Sequence, residues 1–323
     1  MSSLATISDA VRYAATEIRS NGASRTWWKN RFLHRVVGDV WFRRVRGNDG
    51  EYVMARDWDN LLLLDACRLD LYRQVANPDA DAIRSRGSAT PEWVRENFVG
   101  RSFPDTVYVT ANPYVSIITD DEFHARYDVW DDAWDDEAET VRPDTLAERT
   151  RAIAADHPDK RLIVHFMQPH QPFVDSDLPG SFWNVDESPW TAMRDDGVDA
   201  SAILRAYADN LRLAYPVAWE LGMDLPGKSV ITADHGNMLG ERVRPFPIRE
   251  YGHRESLYTP ANVQVPWDEL PFETRKPIVA GDAPAATRDD DTESRGQTET
   301  AAENGDGPTA EGRPAAGKRE ITA

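Results

Sequence analysis

The sequence predicts an α/β protein with a mostly parallel central sheet flanked by helices. Three observations carry this. Short, continuous apolar runs recur along the chain, as expected of strands buried on both faces. Helical stretches lie between them. Most of the runs lead into polar or ionisable residues, and in such sheets ligands gather beyond the carboxyl ends of the strands.

Residues 1–50 read as an N-terminal basic amphipathic segment. Its centre, RTWWKNRFLHRVVGDVWFRRVR (Arg25–Arg46), has seven Lys or Arg against one Asp. Apolar residues at 28, 32, 33, 36, 37, 40 and 41 form a helical stripe. The simpler expectation is a helix packed on the sheet, its arginines paired with the protein's own carboxylates. The alternative is that this cationic, Trp-bearing helix makes peripheral contact with an anionic membrane.

Residues 51–279 hold the expected catalytic domain. Its first strand is NLLLL (Asn60–Leu64), which runs into Asp65. In RSRGSATPEWVRENF, Thr90 is expected at a helix N-cap, with Pro91 at the first helical position and Glu92 in the first turn. A hydroxyl there either caps the helix or stands where backbone N–H groups and the helix dipole favour a phosphate or sulfate. Gly87 and Ser88 add donors nearby. The second strand is TVYVT (Thr106–Thr110). Asn112, in the TANPY that follows, either caps its loop or points into the site. The segment 120–139, densely acidic with Trp130 and Trp134 interleaved, reads as an insertion or solvated cap.

A helix over 143–155 precedes the third strand, RLIVHFM (Arg161–Met167), where His165 reads as a core histidine with its bonds satisfied. That strand leads into Gln168-Pro169-His170. A second helix over 199–215 is apolar at 203, 204, 207, 211 and 214. The fourth strand, SVIT (Ser229–Thr232), leads into Asp234-His235-Gly236. Residues 280–323 contain no aromatic residue and are rich in Thr, Ala, Gly and acids. Such a stretch buries too little apolar area to order itself and reads as a disordered acidic tail. His34, His124 and His157 have no partner that the sequence suggests.

Composition narrows the function. Asp and Glu number 55 against 37 Lys and Arg, a net charge of −18 in 323 residues, and only five of the bases are lysine. An acidic, lysine-poor surface suits concentrated salt, where repulsion is screened over roughly 3 Å at 1 M. It argues against a nucleic-acid partner, because phosphate repulsion would have to be overcome locally. The single cysteine, Cys67, excludes an intramolecular disulfide and a cysteine-based zinc cage. No apolar run approaches the ~18 residues of a transmembrane helix, and MSSLATISDAVRYAATEIRS lacks the apolar stretch of a signal peptide. The expected location is cytoplasmic, with residues 25–46 as the candidate for peripheral membrane contact.

Asp65, His170 and the pair Asp234-His235 are all suited to a hard or borderline cation. Adjacent O and N ligands at a strand terminus can turn onto one metal, and Gly236 permits close approach. A bound divalent ion would in turn activate the Thr90 hydroxyl, which is otherwise a poor nucleophile.

The ordered set DACRLD, GSATPEW, FMQPHQPF, TADHGNMLGER and YGHRES resembles the alkaline phosphatase superfamily, specifically its sulfatase-like branch. The resemblance spans residues 58–267, and DHG after an apolar strand is its most specific element. It implies that Asp65, Asp234 and His235 bind one divalent metal (Mn, Zn, Mg or Ca), with Thr90 as both ligand and nucleophile. It also places His170 against the transferred anionic group and His253 against the substrate or a further metal. Ser88 is the alternative nucleophile and, with Asn112, a candidate substrate contact.

Two departures from the family shape the expectation. No Cys or Ser stands in the C/S-x-P-x-R context that formylglycine sulfatases require, which turns the reading from sulfate towards phosphoesters. Gln168-Pro169-His170 lacks the acid of two-metal members, so one metal is expected, as in the lipoteichoic acid synthase branch. The expected activity is hydrolysis or transfer of a phosphoester through Thr90. A sulfuric-ester hydrolase using unmodified Thr, or a non-catalytic binding protein of surface-polymer assembly, are the alternatives.

Overall fold

The computed structural model describes residues 16–176 and 199–281. The expected tail from 280 onward falls almost wholly outside the described residues, as do residues 1–15 of the N-terminal segment. Nine strands are described. β1 (Asn60–Leu64), β2 (Asp81–Arg84), β3 (Phe103–Thr110), β4 (Phe123–Asp128), β5 (Arg161–Phe166), β6 (Ser229–Thr232) and β9 (Gln264–Glu269) form one sheet in the order β2-β9-β6-β1-β5-β3-β4. β7 (Met238–Arg242) and β8 (Arg249–Gly252) form a separate antiparallel pair.

The sheet is mostly parallel, as expected. β1 pairs in parallel with β5 on one side and β6 on the other, and β3 pairs in parallel with β5 and β4. β9 runs against β6 and β2. Leu61, Leu62, Leu63 and Leu64 have no exposed surface, because β1 is central and covered on both faces. Burying each such side chain contributes roughly 2 kcal/mol, which is why this short run has no polar face.

The helices α1 (Arg25–Phe32), α2 (Leu69–Val75), α3 (Thr90–Asn97), α4 (Pro143–Asp156) and α5 (Ala200–Asp224) include those over 143–155 and 199–215 that the sequence signals. Among the described residues, no helix is long and apolar enough to cross a membrane.

Three local expectations change. The acidic segment 120–139 is not wholly an insertion, because Phe123–Asp128 within it is the edge strand β4. Only Phe123 of that strand is buried; an edge strand has one neighbour, and charged residues there discourage pairing with another chain. Thr90 is the first residue of α3 rather than its cap: Ala89 stands at the N-cap with extended backbone, and Pro91 follows Thr90.

The third change concerns the N-terminal segment, where α1 continues as a π-helix over Leu33–Arg46. Its buried side chains are Leu33, Val37 and Phe42, spaced by four and five, as a helix with i→i+5 bonding requires. They pack with Met238, Val243, Leu257, Tyr258 and Val263 around the β7–β8 pair. Trp28, Val36 and Val40, expected on the packed stripe, are exposed. Several of its cations do meet the protein's own acids: Lys29 with Glu250, Arg31 with Glu17, and Arg35 and Arg43 with Asp39.

Candidate functional site

The carboxyl ends of β1, β3, β5 and β6 bring the strand-end residues to one edge of the sheet. Asp65 follows β1, Asn112 follows β3, and Asp234 follows β6. Ala66, immediately after Asp65, adopts a left-handed backbone (φ +56°). This conformation costs a β-carbon-bearing residue about 1 kcal/mol. It accompanies two contacts: the Ala66 N–H donates to Asp234 Oδ1 at 3.0 Å, and its carbonyl accepts from the Tyr207 hydroxyl.

Asp65, Thr90, Asp234 and His235 converge and are all buried. The Thr90 hydroxyl donates to Asp234 Oδ2 at 2.7 Å and lies 3.2 Å from His235 Nε2 and 3.5 Å from Asp65 Oδ2. It makes no cap to its own helix. His235 Nε2 stands 3.4 Å from Asp234 Oδ2 and 3.7 Å from Asp65 Oδ1. His235 Nδ1 faces the Gly236 carbonyl at 2.7 Å, which places the ring proton there and leaves Nε2 as a lone pair aimed at the other three groups. At Gly236 a β-carbon would fall 2.2 Å from the Ala261 carbonyl oxygen, so no larger residue fits this turn.

The site is rich in acceptors and poor in protons. Asp65 Oδ1 is buried without a hydrogen-bond partner. Burial, then the neighbouring Asp234, pushes the Asp65 carboxyl well above its usual range. Burial pushes Asp234 the same way, but His235, His165 and the Thr90 and Ala66 donors outweigh it and hold that carboxyl below its usual range. Two buried carboxylates, a hydroxyl and an imidazole lone pair around one point call for a cation. Ligands about 2.1 Å from one ion lie about 3.0–3.4 Å apart, and the separations here bracket that value. The donor set therefore fits a divalent metal.

The remaining expected residues divide. Asn112 both ties its loop and points towards Asp65: Oδ1 accepts from the Tyr114 N–H at 2.9 Å, and Nδ2 donates to Asp65 Oδ2 at 2.5 Å. His253 lies over His235 with ring centres 4.4 Å apart, and His170 lies 5.1 Å from His253. Burial lowers His170 to about 4 and His253 well below its ordinary value, so both rings are neutral at neutral pH. Ser88 turns away: its hydroxyl donates towards Glu92 Oε2 and the Arg254 carbonyl, each at 2.8 Å, and accepts from the Leu257 N–H.

His165 and Glu92 were not foreseen as site residues. His165 is only half satisfied, with Nδ1 3.0 Å from the Tyr108 hydroxyl. Its Nε2 is buried, without a hydrogen-bond partner, and 3.8 Å from both Asp65 Oδ2 and Asp234 Oδ2. An imidazole in the middle of an apolar strand was the available signal. Glu92, two residues after Thr90, accepts from the Ser88 and Ser256 N–H groups and from the Ser88 and Tyr258 hydroxyls. It thereby ties the Thr90 turn to the loop that follows His253.

No family model and no curated protein matches this chain. Among solved structures it is similar to the soluble domain of lipooligosaccharide phosphoethanolamine transferase A from Neisseria meningitidis, at 13% identity and a TM-score of 0.44, over 65% of this chain and 75% of that one. It is similar to the C-terminal periplasmic domain of EptC from Escherichia coli in complex with Zn, at 13% identity and 0.42, over 70% and 76%. A third similarity is to the lipoteichoic acid synthase LtaP from Listeria monocytogenes, at 12% identity and 0.41, over 72% and 71%.

Proposed function

We propose that this chain is a one-metal phosphoester hydrolase or transferase of the sulfatase-like branch of the alkaline phosphatase superfamily, with Thr90 as nucleophile. The observation that carries this is the Thr90 hydroxyl, which faces Asp234, His235 and Asp65 at the point where a cation fits.

Asp65, Thr90, Asp234 and His235 would hold the metal, with His165 Nε2 as a further donor facing both carboxylates. A divalent ion in this position supplies charge neutralisation and lowers the pKa of the hydroxyl it touches. Asp234 Oδ2 orients the Thr90 proton away from the attacking lone pair and is placed to accept it. Thr90 Oγ1 then bonds to phosphorus as the ester's alcohol oxygen leaves with its electron pair, forming a phosphoryl-threonine. Neutral His170 and His253, on the open side of His235, turn Nδ1 to the Gln171 carbonyl and to Asn237 Oδ1, so each Nε2 is a proton acceptor that would take a proton from the incoming water or acceptor hydroxyl. Water hydrolyses the intermediate, or an acceptor hydroxyl takes the phosphoryl group. In either case Thr90 regains its proton.

The salt-adapted surface, a cytoplasmic location and the three-part organisation (1–50, 51–279, 280–323) belong to the same reading. So does contact of residues 25–46 with an anionic membrane, where Trp28, Val36, Val40 and Val45 are exposed. The test is turnover by the purified chain, supplied with Mn or Zn, of p-nitrophenyl phosphodiester, phosphomonoester and sulfate substrates. Phosphodiester or phosphomonoester turnover that is lost with a chelator supports the reading. Turnover of the sulfate alone replaces it with sulfuric-ester hydrolysis, and inactivity on all three with a binding role.

A further inference from the structure

A cavity outside the Thr90 site is lined by Arg43 of the N-terminal π-helix and by Glu96 of α3. It has a volume of about 560 Å³, and Arg43, Arg86, Arg101, Asn48, Tyr258 and Glu96 are among the residues that line it. None of these contributes to the Thr90–Asp234 centre.

Arg86 and Arg101 are held by an aromatic ring and a main-chain carbonyl rather than by acids. Both guanidinium groups sit against the ring of Tyr52, at 4.5 and 5.3 Å. Both donate to one main-chain oxygen, the Glu96 carbonyl, at 3.0 and 3.2 Å. Arg86 Nε also reaches the Gly50 carbonyl, at 3.4 Å. A shared ring and a shared carbonyl thus gather two like charges.

Among the described residues no carboxylate forms an ion pair with either. Arg68, Arg142 and Arg275, in contrast, each reach two acids. In a protein with 55 acidic residues, two neighbouring guanidiniums left without a carboxylate are not a consequence of short supply. Arg43 brings a third from the π-helix, with Nη2 3.7 Å from Glu92 Oε1 and 3.8 Å from Glu255 Oε2. Asn48 holds the cavity floor, donating to the Ser85 and Arg86 carbonyls at 3.1 and 2.7 Å. Among the side chains that line the cavity three are guanidiniums and one, that of Glu96, is a carboxylate.

We propose that this cavity is a second anion site that binds a phosphate ester, its phosphoryl oxygens taken by the planar forks of Arg86 and Arg101 and its charge closed over by Arg43. Guanidinium forks match phosphate geometry, and the volume accommodates a phosphate carried on a glycerol- or sugar-sized group. The ester is either a soluble metabolite or the head group of an anionic lipid, and exposed Val40 and Val45 flank Arg43 on the π-helix. The proposal is independent of the activity assigned to Thr90.

Calorimetric titration of glycerol 3-phosphate into chelator-treated protein at low salt tests the soluble source. Flotation with phosphatidylcholine vesicles, with and without phosphatidylglycerol, tests the lipid source. The proteins compared are the wild type, Thr90→Ala, and the double variant Arg86→Gln with Arg101→Gln. Binding in either arm that weakens at least tenfold in the double variant and is unchanged in Thr90→Ala supports the site, and the responding arm identifies the source. Arg101→Gln alone, at an exposed position, carries the test at a several-fold loss if the double variant does not fold. Absence of binding in both arms, or binding insensitive to these substitutions, overturns the proposal.

Discussion

Thr90 and Asp234 stand 144 residues apart in the chain and share a hydrogen bond of 2.7 Å in a buried site. Thr90 is the first helical residue and Ala89 holds the capping position, so the Thr90 hydroxyl has no capping role and is committed to this contact. Thr90→Ala is therefore expected to lower phosphoester turnover by roughly three orders of magnitude or more, with little change in thermal stability. Thr90→Ser should keep turnover within about tenfold. Intact-mass measurement after rapid quench should find a phosphoryl adduct on the wild type and none on Thr90→Ala.

Asp65, buried beside Asp234, makes the metal-free protein less stable than it could be. A carboxyl whose folded pKa is raised binds its proton more tightly folded than unfolded. The metal-free stability contributed by Asp65 therefore falls as pH rises from about 4 through that raised value. Asp65→Asn should stabilise the chelator-treated protein at pH 7 by about 1–3 kcal/mol and abolish the rise in Tm that Mn or Zn gives the wild type. Calorimetric scans with and without metal measure both effects.

Glu92 is a buried carboxylate serving five donors and approached by Arg43. Glu92→Gln turns an amide N–H towards groups that are themselves donors. The expected loss is about 2–4 kcal/mol in urea denaturation. Because this carboxylate also fixes the loop after His253, kcat should fall more than the change in KM.

At the opposite end of the sheet, burial lowers Lys276 to about 8. Its ammonium donates to Asn60 Oδ1 and to the Lys160 carbonyl, at 2.9 and 3.0 Å. The unfolded chain holds this proton up to about 10.5, so the folded protein carries a charge penalty below pH 8 that disappears between 8 and 10.5. The stability of the wild type relative to Lys276→Met should rise by about 3 kcal/mol across that interval. Paired denaturant curves at pH 7 and 10.5 test this.

Much of the architecture was legible because β1 and β6 are apolar on both faces and appear as unbroken runs. The same rule explains what was missed. β2, with one buried residue in four, and β4, with one in six, are edge strands, and edge strands carry no continuous apolar signal. β9 includes Pro266 and the buried acid Asp268, which interrupt the pattern. In the candidate site, Asp65 and the Asp234-His235 pair were visible as ionisable residues at strand ends. His165 was hidden inside a strand, where only the third dimension shows which ring nitrogen lacks a partner. Glu92 looked like an ordinary first-turn acid, because the Ser256 and Tyr258 groups it receives lie 164 and 166 residues away.

The central position of β1, between β5 and β6, also bears on how the protein is assembled. The strands that precede Asp65 and Asp234 are neighbours in space, yet one is completed by residue 64 and the other begins at residue 229. No contiguous stretch of nascent chain holds all of the proposed ligands, so a partly synthesised or partly folded molecule would have nothing with which to capture an ion tightly. Pairing across such sequence distances is slow, because the loop must close before the contacts reward it. Acquisition of the metal would therefore be a late event in biogenesis, and its uptake would report completion of the parallel sheet.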